Sequence, residues 1–173
     1  MSAKIIRRKP KYRLNSDIKY AEGGKNSFLV EFKGKRRQAW IGQFETDGEN
    51  GLYKVLTYGD EPFGVVIAGG KGYLVNIEKQ EIRGITGDKR RIISAINTSD
   101  QKYCVAGTKD NIYVIDKEGN IREIIPDFEV EGFYLEKSNS NTVSGMLESD
   151  INMFEKEIPF MVDLEKQILH VDY

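Results

Sequence analysis

Short apolar runs, separated by turn-forming residues, fill the middle of the chain from about residue 52 to residue 125. The runs are rich in Val, Ile and Tyr, and Gly, Asn or Asp bounds most of them, which is typical of β-strands joined by tight turns. No window of about eleven residues carries the 3.6-residue apolar period of an amphipathic helix. Segment 149–157 is the best short-helix candidate. The pattern therefore predicts an all-β protein.

The apolar runs recur with a period of about 39 residues. An Ala-Gly pair at 68–69 recurs at 106–107, and Val75 recurs as Val114. A shorter third copy begins at Val162, where Val-Asp-Leu-Glu-Lys-Gln follows the order of Val-Asn-Ile-Glu-Lys-Gln at Val75. This self-similarity indicates that one supersecondary unit is repeated along the chain.

Each complete repeat contains four predicted strands. They are Lys54–Tyr58, Gly64–Ala68, Tyr73–Ile77 and Glu81–Ile85 in the first repeat, and Ile92–Asn97, Tyr103–Ala106, Ile112–Asp116 and Asn120–Ile125 in the second. Four-stranded antiparallel units that repeat every forty or so residues are typical of propeller blades. The pattern predicts such units here.

The second repeat carries the motif Ala-Gly-Thr-x-Asp-Asn-x-Tyr-Val-x-Asp-x-x-Gly-x-Ile, beginning at Ala106. This motif resembles the blades of quinoprotein-like and tryptophan–aspartate-type propellers, over roughly residues 52–125. The resemblance implies a small or incomplete β-propeller, with a β-sandwich of meanders as the alternative. The predicted organisation is a single β-repeat domain, 1–173. Its parts are an irregular first unit 1–50, repeats of about 52–88 and 89–127, and an irregular last unit 128–173.

Candidate catalytic residues are scarce, so the sequence predicts that the protein is not an enzyme and uses no cofactor or metal. The glycine-rich segment 64–72 lacks the Ser or Thr of a phosphate-binding loop and leads into a strand, which favours a hairpin turn. Cys104 occupies the position of Val66 in the preceding repeat, which favours a small core residue. His170 should face away from its apolar neighbours in the last predicted strand, which favours a surface position.

The amino terminus carries charges without an apolar segment behind them, unlike a secretory signal. No apolar run approaches the roughly 18 residues that a membrane-spanning helix needs. The chain has 1 Cys, which excludes an intrachain disulfide. These features predict a soluble, cytoplasmic protein.

Charge is unevenly distributed along a chain whose total is close to neutral. The 26 basic and 27 acidic residues leave a formal net charge of -1. Residues 1–40 hold 12 basic and 3 acidic residues, a net charge of +9, whereas residues 123–173 hold 3 basic and 12 acidic residues, a net charge of -9. Such a split indicates either external partners or pairing between the two ends, which would assist closure of the repeats.

The acidic end interleaves carboxylates with large apolar residues, a combination that fits a protein partner with a basic surface. The predicted partner-binding residues are Asp127, Glu129, Glu131, Tyr134, Glu148, Asp150 and Phe154. We therefore expect a non-enzymatic protein-interaction module. One concrete role is that of a small bacterial immunity-type protein, which binds and neutralises a basic partner enzyme.

Two alternatives remain open. A small-ligand-binding or enzymatic propeller would use cations repeated between the units, Lys71 with Lys109 and Arg83 with Arg122. A nucleic-acid-binding protein would use the basic amino-terminal segment, with Tyr12, Phe32 and Trp40 as base-stacking residues. Nucleic acid is less favoured than a protein partner, because the acidic remainder of the chain opposes binding to a polyanion.

Overall fold

The structure is a computed structural model, and it describes residues 1–6, 18–21, 27–35, 39–46, 50–86, 90–149 and 156–172. Every regular element in these ranges is a β-strand. The strands are β1 (Ser2–Ile6), β2 (Ile18–Ala21), β3 (Ser27–Lys33), β4 (Ala39–Glu45), β5 (Tyr53–Thr57), β6 (Phe63–Ala68), β7 (Lys71–Asn76), β8 (Glu81–Gly84), β9 (Ser94–Asn97), β10 (Tyr103–Gly107), β11 (Ile112–Asp116), β12 (Ile121–Ile124), β13 (Gly132–Ser138), β14 (Thr142–Ser149), β15 (Lys156–Asp163) and β16 (Ile168–Val171). The all-β prediction is confirmed.

The chain divides into two compact units, Met1–Gly87 and Asp88–Tyr173. Each unit contains two four-stranded sheets. Three of the four sheets are antiparallel meanders, in which consecutive strands are neighbours: β5 to β8, β9 to β12 and β13 to β16. The remaining sheet has the order β1-β3-β4-β2, and β2 runs parallel to β4.

The first unit is held together by a core between its two sheets. Val30, Phe32, Trp40 and Phe44 pack against Val66, Ala68, Tyr73, Val75 and Ile77. The Phe32 and Trp40 rings are stacked with their centroids 4.6 Å apart. The Trp40 indole N–H donates to the Ile77 carbonyl at 2.9 Å, which satisfies the one polar group of a buried ring.

The second unit has the same plan. One face of the β9–β12 sheet packs on one face of the β13–β16 sheet through Val105, Ile112, Val114, Ile124, Phe133, Val143, Leu147, Ile158, Phe160, Val162 and Leu164. The first strands of the two sheets are also joined by Ser94, whose hydroxyl donates to the Phe133 carbonyl at 2.6 Å and accepts the Leu135 N–H at 3.1 Å. Apolar packing and this polar bridge fix the position of β13.

The repeat predicted from the sequence is confirmed at the level of strands. Each predicted strand between residues 54 and 125 coincides with one of β5 to β12, with end differences of about two residues. The shorter third copy is matched in backbone geometry too. Gln80 and Gln167 close equivalent turns with φ angles of 57° and 59°, and Asn76 and Asp163 side chains accept the N–H groups of turn residues.

The predicted hairpin in segment 64–72 is also confirmed. Ala68 pairs directly with Lys71 across a two-residue turn. Gly69 and Gly70 have φ angles of 63° and 91°, and a two-residue turn with both central φ angles positive suits the twist of the flanking strands. Since β7 follows the turn, no helix N-terminus is available there for a phosphate.

The β13–β16 sheet lies in segment 128–173, which follows the two repeats in the sequence. Residues 128–173 contain a complete meander with a single register shift between Leu135 and Lys137. The short helix predicted for 149–157 is wrong at both ends, because Ser149 closes β14 and Glu157 lies in β15; residues 150–155 lie outside the described part of the chain. Pairing with neighbouring strands outweighs the weak local helix preference at these ends. None of the described elements is a helix able to cross a membrane.

Candidate partner-binding face

The β13–β16 sheet has two faces of different character, which follow from the alternation of side chains along its strands. In β14, residues 142 to 149 alternate between half-buried and buried. In β15, Ile158, Phe160 and Val162 are buried, whereas Pro159 and Met161 are exposed. The buried set faces the β9–β12 sheet. The opposite side, formed by the other set, is called the outer face below.

Cross-strand pairs arrange the outer face in rows. Tyr134 lies opposite Met146, which lies opposite Pro159. The next row is Ser144, Met161 and His170, and the one after it is Thr142, Asp163 and Ile168. Directly opposed residues in a sheet are close enough for their side chains to touch. Tyr134, Met146 and Pro159 therefore form an apolar row across three strands, and Met161 and Ile168 lie on the same face in the next two rows, beside polar residues. These five residues are called the apolar patch below.

Three of the large hydrophobic side chains in this patch are exposed. The exposed fraction is 40% for Tyr134, 41% for Met161 and 44% for Ile168. Single exposed apolar residues are common on soluble proteins, but a contiguous group on one face marks an interaction site or an aggregation hazard. Tyr134, Met161 and Ile168 lie on one face of the same sheet, so they form such a group and not a set of scattered single residues.

Carboxylates border the patch at one end. Glu148 on β14 and Glu157 on β15 are directly opposite each other, an arrangement that is unfavourable between like charges. The Glu131 N–H donates to the Glu148 carbonyl at 2.7 Å, and the Glu129 carbonyl accepts the Ser149 hydroxyl at 2.8 Å. These backbone contacts place four carboxylates near one end of the sheet. None of the four forms an ion pair with any residue that the structure describes.

Tyr134 links the apolar patch to the acidic border. Its phenol donates to Glu148 Oε2 at 3.2 Å. Burial of the phenol, followed by the negative charge of Glu148 and this hydrogen bond, raises the pKa of Tyr134 above its ordinary value. Tyr134 therefore remains a neutral donor at physiological pH, and it presents both an apolar ring and a polar tip to the surface.

The predicted site residues are only partly brought together. Tyr134 and Glu148 are hydrogen-bonded, and Glu129 and Glu131 reach the same end of the sheet through backbone contacts. Asp127 is exposed in the segment after β12, and no hydrogen bond or ion pair within the described ranges ties its carboxylate to the group. The other two, Asp150 and Phe154, lie outside the described residues.

Several outer-face residues were not among the predicted site residues: Met146, Glu157, Pro159, Met161, Ile168 and His170. A usable signal existed for Met146, because Ser144 and Glu148, two positions away on either side, are polar and share its strand face. Met161 carries no such signal, because Phe160 and Val162 are also apolar and sequence alone does not show which face is covered.

The aromatic part of the nucleic-acid alternative is contradicted. Phe32 is fully buried and Trp40 is 1% exposed, and both belong to the core between the sheets of the first unit. Buried rings cannot stack on bases. The basic segments 7–13 and 36–37, together with Tyr12, lie outside the described residues.

Of the cations that repeat in sequence, Arg83 and Arg122 lie on the equivalent strands β8 and β12, but Lys71 and Lys109 do not repeat in position. Lys71 opens β7 and forms an ion pair with Glu45 at 3.0 Å, whereas Lys109 lies in the four-residue loop between β10 and β11. The other two predictions about single residues are confirmed: Cys104 is buried and His170 is exposed, opposite Met161. Within the described ranges no three His, Cys, Asp or Glu residues are grouped so as to hold a metal ion.

Comparison with known proteins supports the fold. No family model and no curated protein matches the chain. Among solved structures, the tricorn protease matches with a TM-score of 0.52 at 12% identity, covering 84% of this chain and 15% of that one. The core factor of S. cerevisiae matches with a TM-score of 0.50 at 11% identity, covering 85% of this chain and 28% of that one. The chain thus spans a small part of either protein, and both likenesses identify a propeller-like β-repeat fold.

Proposed function

We propose that this chain is a non-enzymatic protein-interaction module that binds a partner with a basic surface through the outer face of the β13–β16 sheet. The observation that supports the proposal is the joint presence, on one face, of exposed apolar side chains and carboxylates without an ion pair in the described part of the chain. Membership of the quinoprotein-like or tryptophan–aspartate-type propellers is the finer family hypothesis.

The two parts of the face would contribute differently to binding. Carboxylates at an interface rim accelerate encounter with a cationic surface and do so most strongly at low ionic strength. Affinity comes mainly from desolvated aromatic and large apolar residues near the centre. Glu129, Glu131 and Glu148 are therefore assigned to steering, and Tyr134 and Met161 to the contact itself.

The narrower proposal concerns the kind of partner. A carboxylate-rich surface competes well for a protein surface that itself binds polyanions, because both present closely spaced negative charge. An enzyme with a basic substrate-binding surface fits this description. Neutralisation of such an enzyme, as by an immunity-type protein, is the specific role that we propose.

Site-specific photo-crosslinking captures the partner directly and so tests the proposal. A photoreactive amino acid is introduced at Met161, on the outer face, or at Glu118, which is exposed in the turn before β12 and off that face. In the cells that naturally produce the chain, we expect a discrete protein adduct from the Met161 position only. Mass spectrometry then identifies the adduct and the charge of its surface.

A charge-reversal variant completes the test. The triple substitution Glu129→Lys, Glu131→Lys and Glu148→Lys should abolish the Met161 adduct and slow association with the purified partner by roughly 10- to 100-fold at low salt. Glu118→Lys is the control for charge reversal away from the face and should leave the adduct intact. Equal crosslinking from both positions, or an acidic partner, would overturn the proposal.

A further inference from the structure

The last strands of the three meanders, β8, β12 and β16, each form one edge of a sheet and differ in charge. β8 reads Glu-Ile-Arg-Gly and β12 reads Ile-Arg-Glu-Ile, so each carries one acid and one base. β16 reads Ile-Leu-His-Val and carries neither. Charged side chains on an edge strand discourage pairing with another chain. Of these three last strands, β8 and β12 are therefore protected in this way, and β16 is not.

The open side of β16 presents backbone groups in a defined pattern. His170 pairs with Met161, and the Asp172 N–H donates to the Pro159 carbonyl at 3.1 Å. In an antiparallel ladder, alternate residues direct their N–H and C=O groups toward the neighbouring strand. The groups of Leu169 and Val171 therefore point away from β15. In the part of the chain that the structure describes, no strand pairs with them.

We propose that β16 is the docking edge for an extended cationic segment of the protein partner, which adds a fifth strand to the β13–β16 sheet. This inference rests on the proposed function and specifies how the partner engages the sheet. Strand addition obtains affinity from main-chain hydrogen bonds, and alternate side chains of the added strand contact the face. Side chains of the added strand would meet Ile168 and His170 on the outer face.

The acidic residues around β16 favour an extended cationic segment over a second copy of the chain. The exposed carboxylates of Glu165 and Asp172 flank β16 on either side, and Glu157 lies on the neighbouring strand. A second copy paired through β16 would bring these same acids together, and like charges across a sheet are unfavourable. A segment in which Lys or Arg alternates with apolar residues complements both the acids and the apolar outer face.

The experiment uses the full chain and two synthetic peptides, acetyl-Lys-Val-Lys-Val-Lys-Val-Lys-amide and its counterpart with Glu in place of Lys. Backbone amide exchange is followed residue by residue by NMR. In the free chain, the Leu169 and Val171 amides should exchange quickly, whereas His170 and Asp172 amides, bonded to β15, should exchange slowly. The cationic peptide should slow exchange at Leu169 and Val171 by about tenfold or more and leave His170 nearly unchanged.

Val171→Pro provides the matched variant. It removes an N–H that points away from β15, so the existing ladder is kept, whereas Val171→Ala makes a similar reduction of the side chain and retains that N–H. We expect Val171→Pro to weaken cationic-peptide binding by about tenfold relative to Val171→Ala. Thermal unfolding of the two variants verifies that both fold.

The inference would be overturned by equal binding of the cationic peptide to the two variants, by binding of the acidic peptide, or by no protection from the cationic peptide at about 1 mM. Protection that depends only on chain concentration would instead identify self-pairing and would also overturn it. If strand addition at β16 is disproved, the proposed function can still be tested separately. If Met161 still crosslinks to a basic partner, the outer face binds by side chains alone.

Discussion

The two faces of the β13–β16 sheet carry apolar residues from the same strands, and they differ in what covers them. Phe133 and Leu147 on the inner face are fully buried against the β9–β12 sheet, whereas Tyr134 and Met161 on the outer face are 40% and 41% exposed. Burial makes the first pair essential to the fold. The second pair contributes little to the fold, so its apolar character calls for an explanation in binding.

Neighbouring residues of β14 give the largest contrast between the faces. Leu147→Ala should reduce the free energy of unfolding by about 3 kcal/mol, because it leaves a cavity in a fully buried site. Met146→Ala, one residue away on the half-buried side, should cost about 1 kcal/mol or less. Urea denaturation measures both values. Similar losses for the two variants would show that the outer face is also part of the core.

The backbone of β14 offers a second, smaller test on the inner side. A Cβ atom at Gly145 would overlap the Tyr134 carbonyl oxygen, next to the register shift in β13. Gly145→Ala should therefore destabilise the chain by about 2 kcal/mol through displacement of the backbone. Ser144→Ala, on the half-buried side of the same strand, is the control and should change stability by less than about 0.5 kcal/mol. Chemical denaturation compares the two, and equal stabilities would contradict the close approach of β13 to Gly145.

Sequence patterns were sufficient to predict much of the fold. Strand positions between residues 54 and 125 follow from short apolar runs and glycine turns, and the Gln80 and Gln167 turns follow from one repeated hexapeptide. The sequence does not distinguish the two faces of β15, because Ile158 to Val162 are all apolar. Which alternate set is covered depends on packing against β9–β12, a non-local contact that periodicity does not encode.

For the candidate site, the sequence was sufficient to select some of the residues but not to predict the contacts between them. Tyr134 and Glu148 could be selected because acids and aromatics alternate near the carboxyl terminus, yet their hydrogen bond depends on the pairing of β13 with β14. The prediction for Phe32 and Trp40 as exposed, base-stacking residues was wrong. Nearby cations suggested a surface, but stacking of the two rings in the core places them inside.

Opposed carboxylates on the outer face predict a small gain on neutralisation. Glu157→Gln should raise the free energy of unfolding by about 0.3 kcal/mol, because it removes the like-charge pair with Glu148. The gain should shrink in high salt. Chemical denaturation at two salt concentrations measures it, and a loss of stability would indicate that Glu157 has a favourable partner.

The smallest effect concerns the Tyr134 phenol. Because its pKa is raised in the folded chain, the folded state holds the phenolic proton more tightly than the unfolded state. This contribution to stability is complete below pH ~10, the ordinary tyrosine value, and is lost as pH rises through the folded-state pKa. Glu148→Gln should lower the pKa of Tyr134 in an ultraviolet titration, since it removes the adjacent negative charge. An unchanged pKa would leave burial as the sole cause.

Met161→Lys, measured for stability and for binding in the same preparation, tests the central claim most directly. The account predicts a change of less than about 1 kcal/mol in the free energy of unfolding, as expected for an exposed position. It also predicts a loss of affinity of about tenfold or more for the basic partner identified by crosslinking at this face, because a positive charge would be buried at the centre of the contact, against a partner surface of the same sign. Unchanged affinity in a normally folded variant would contradict the assignment of the outer face as a binding surface.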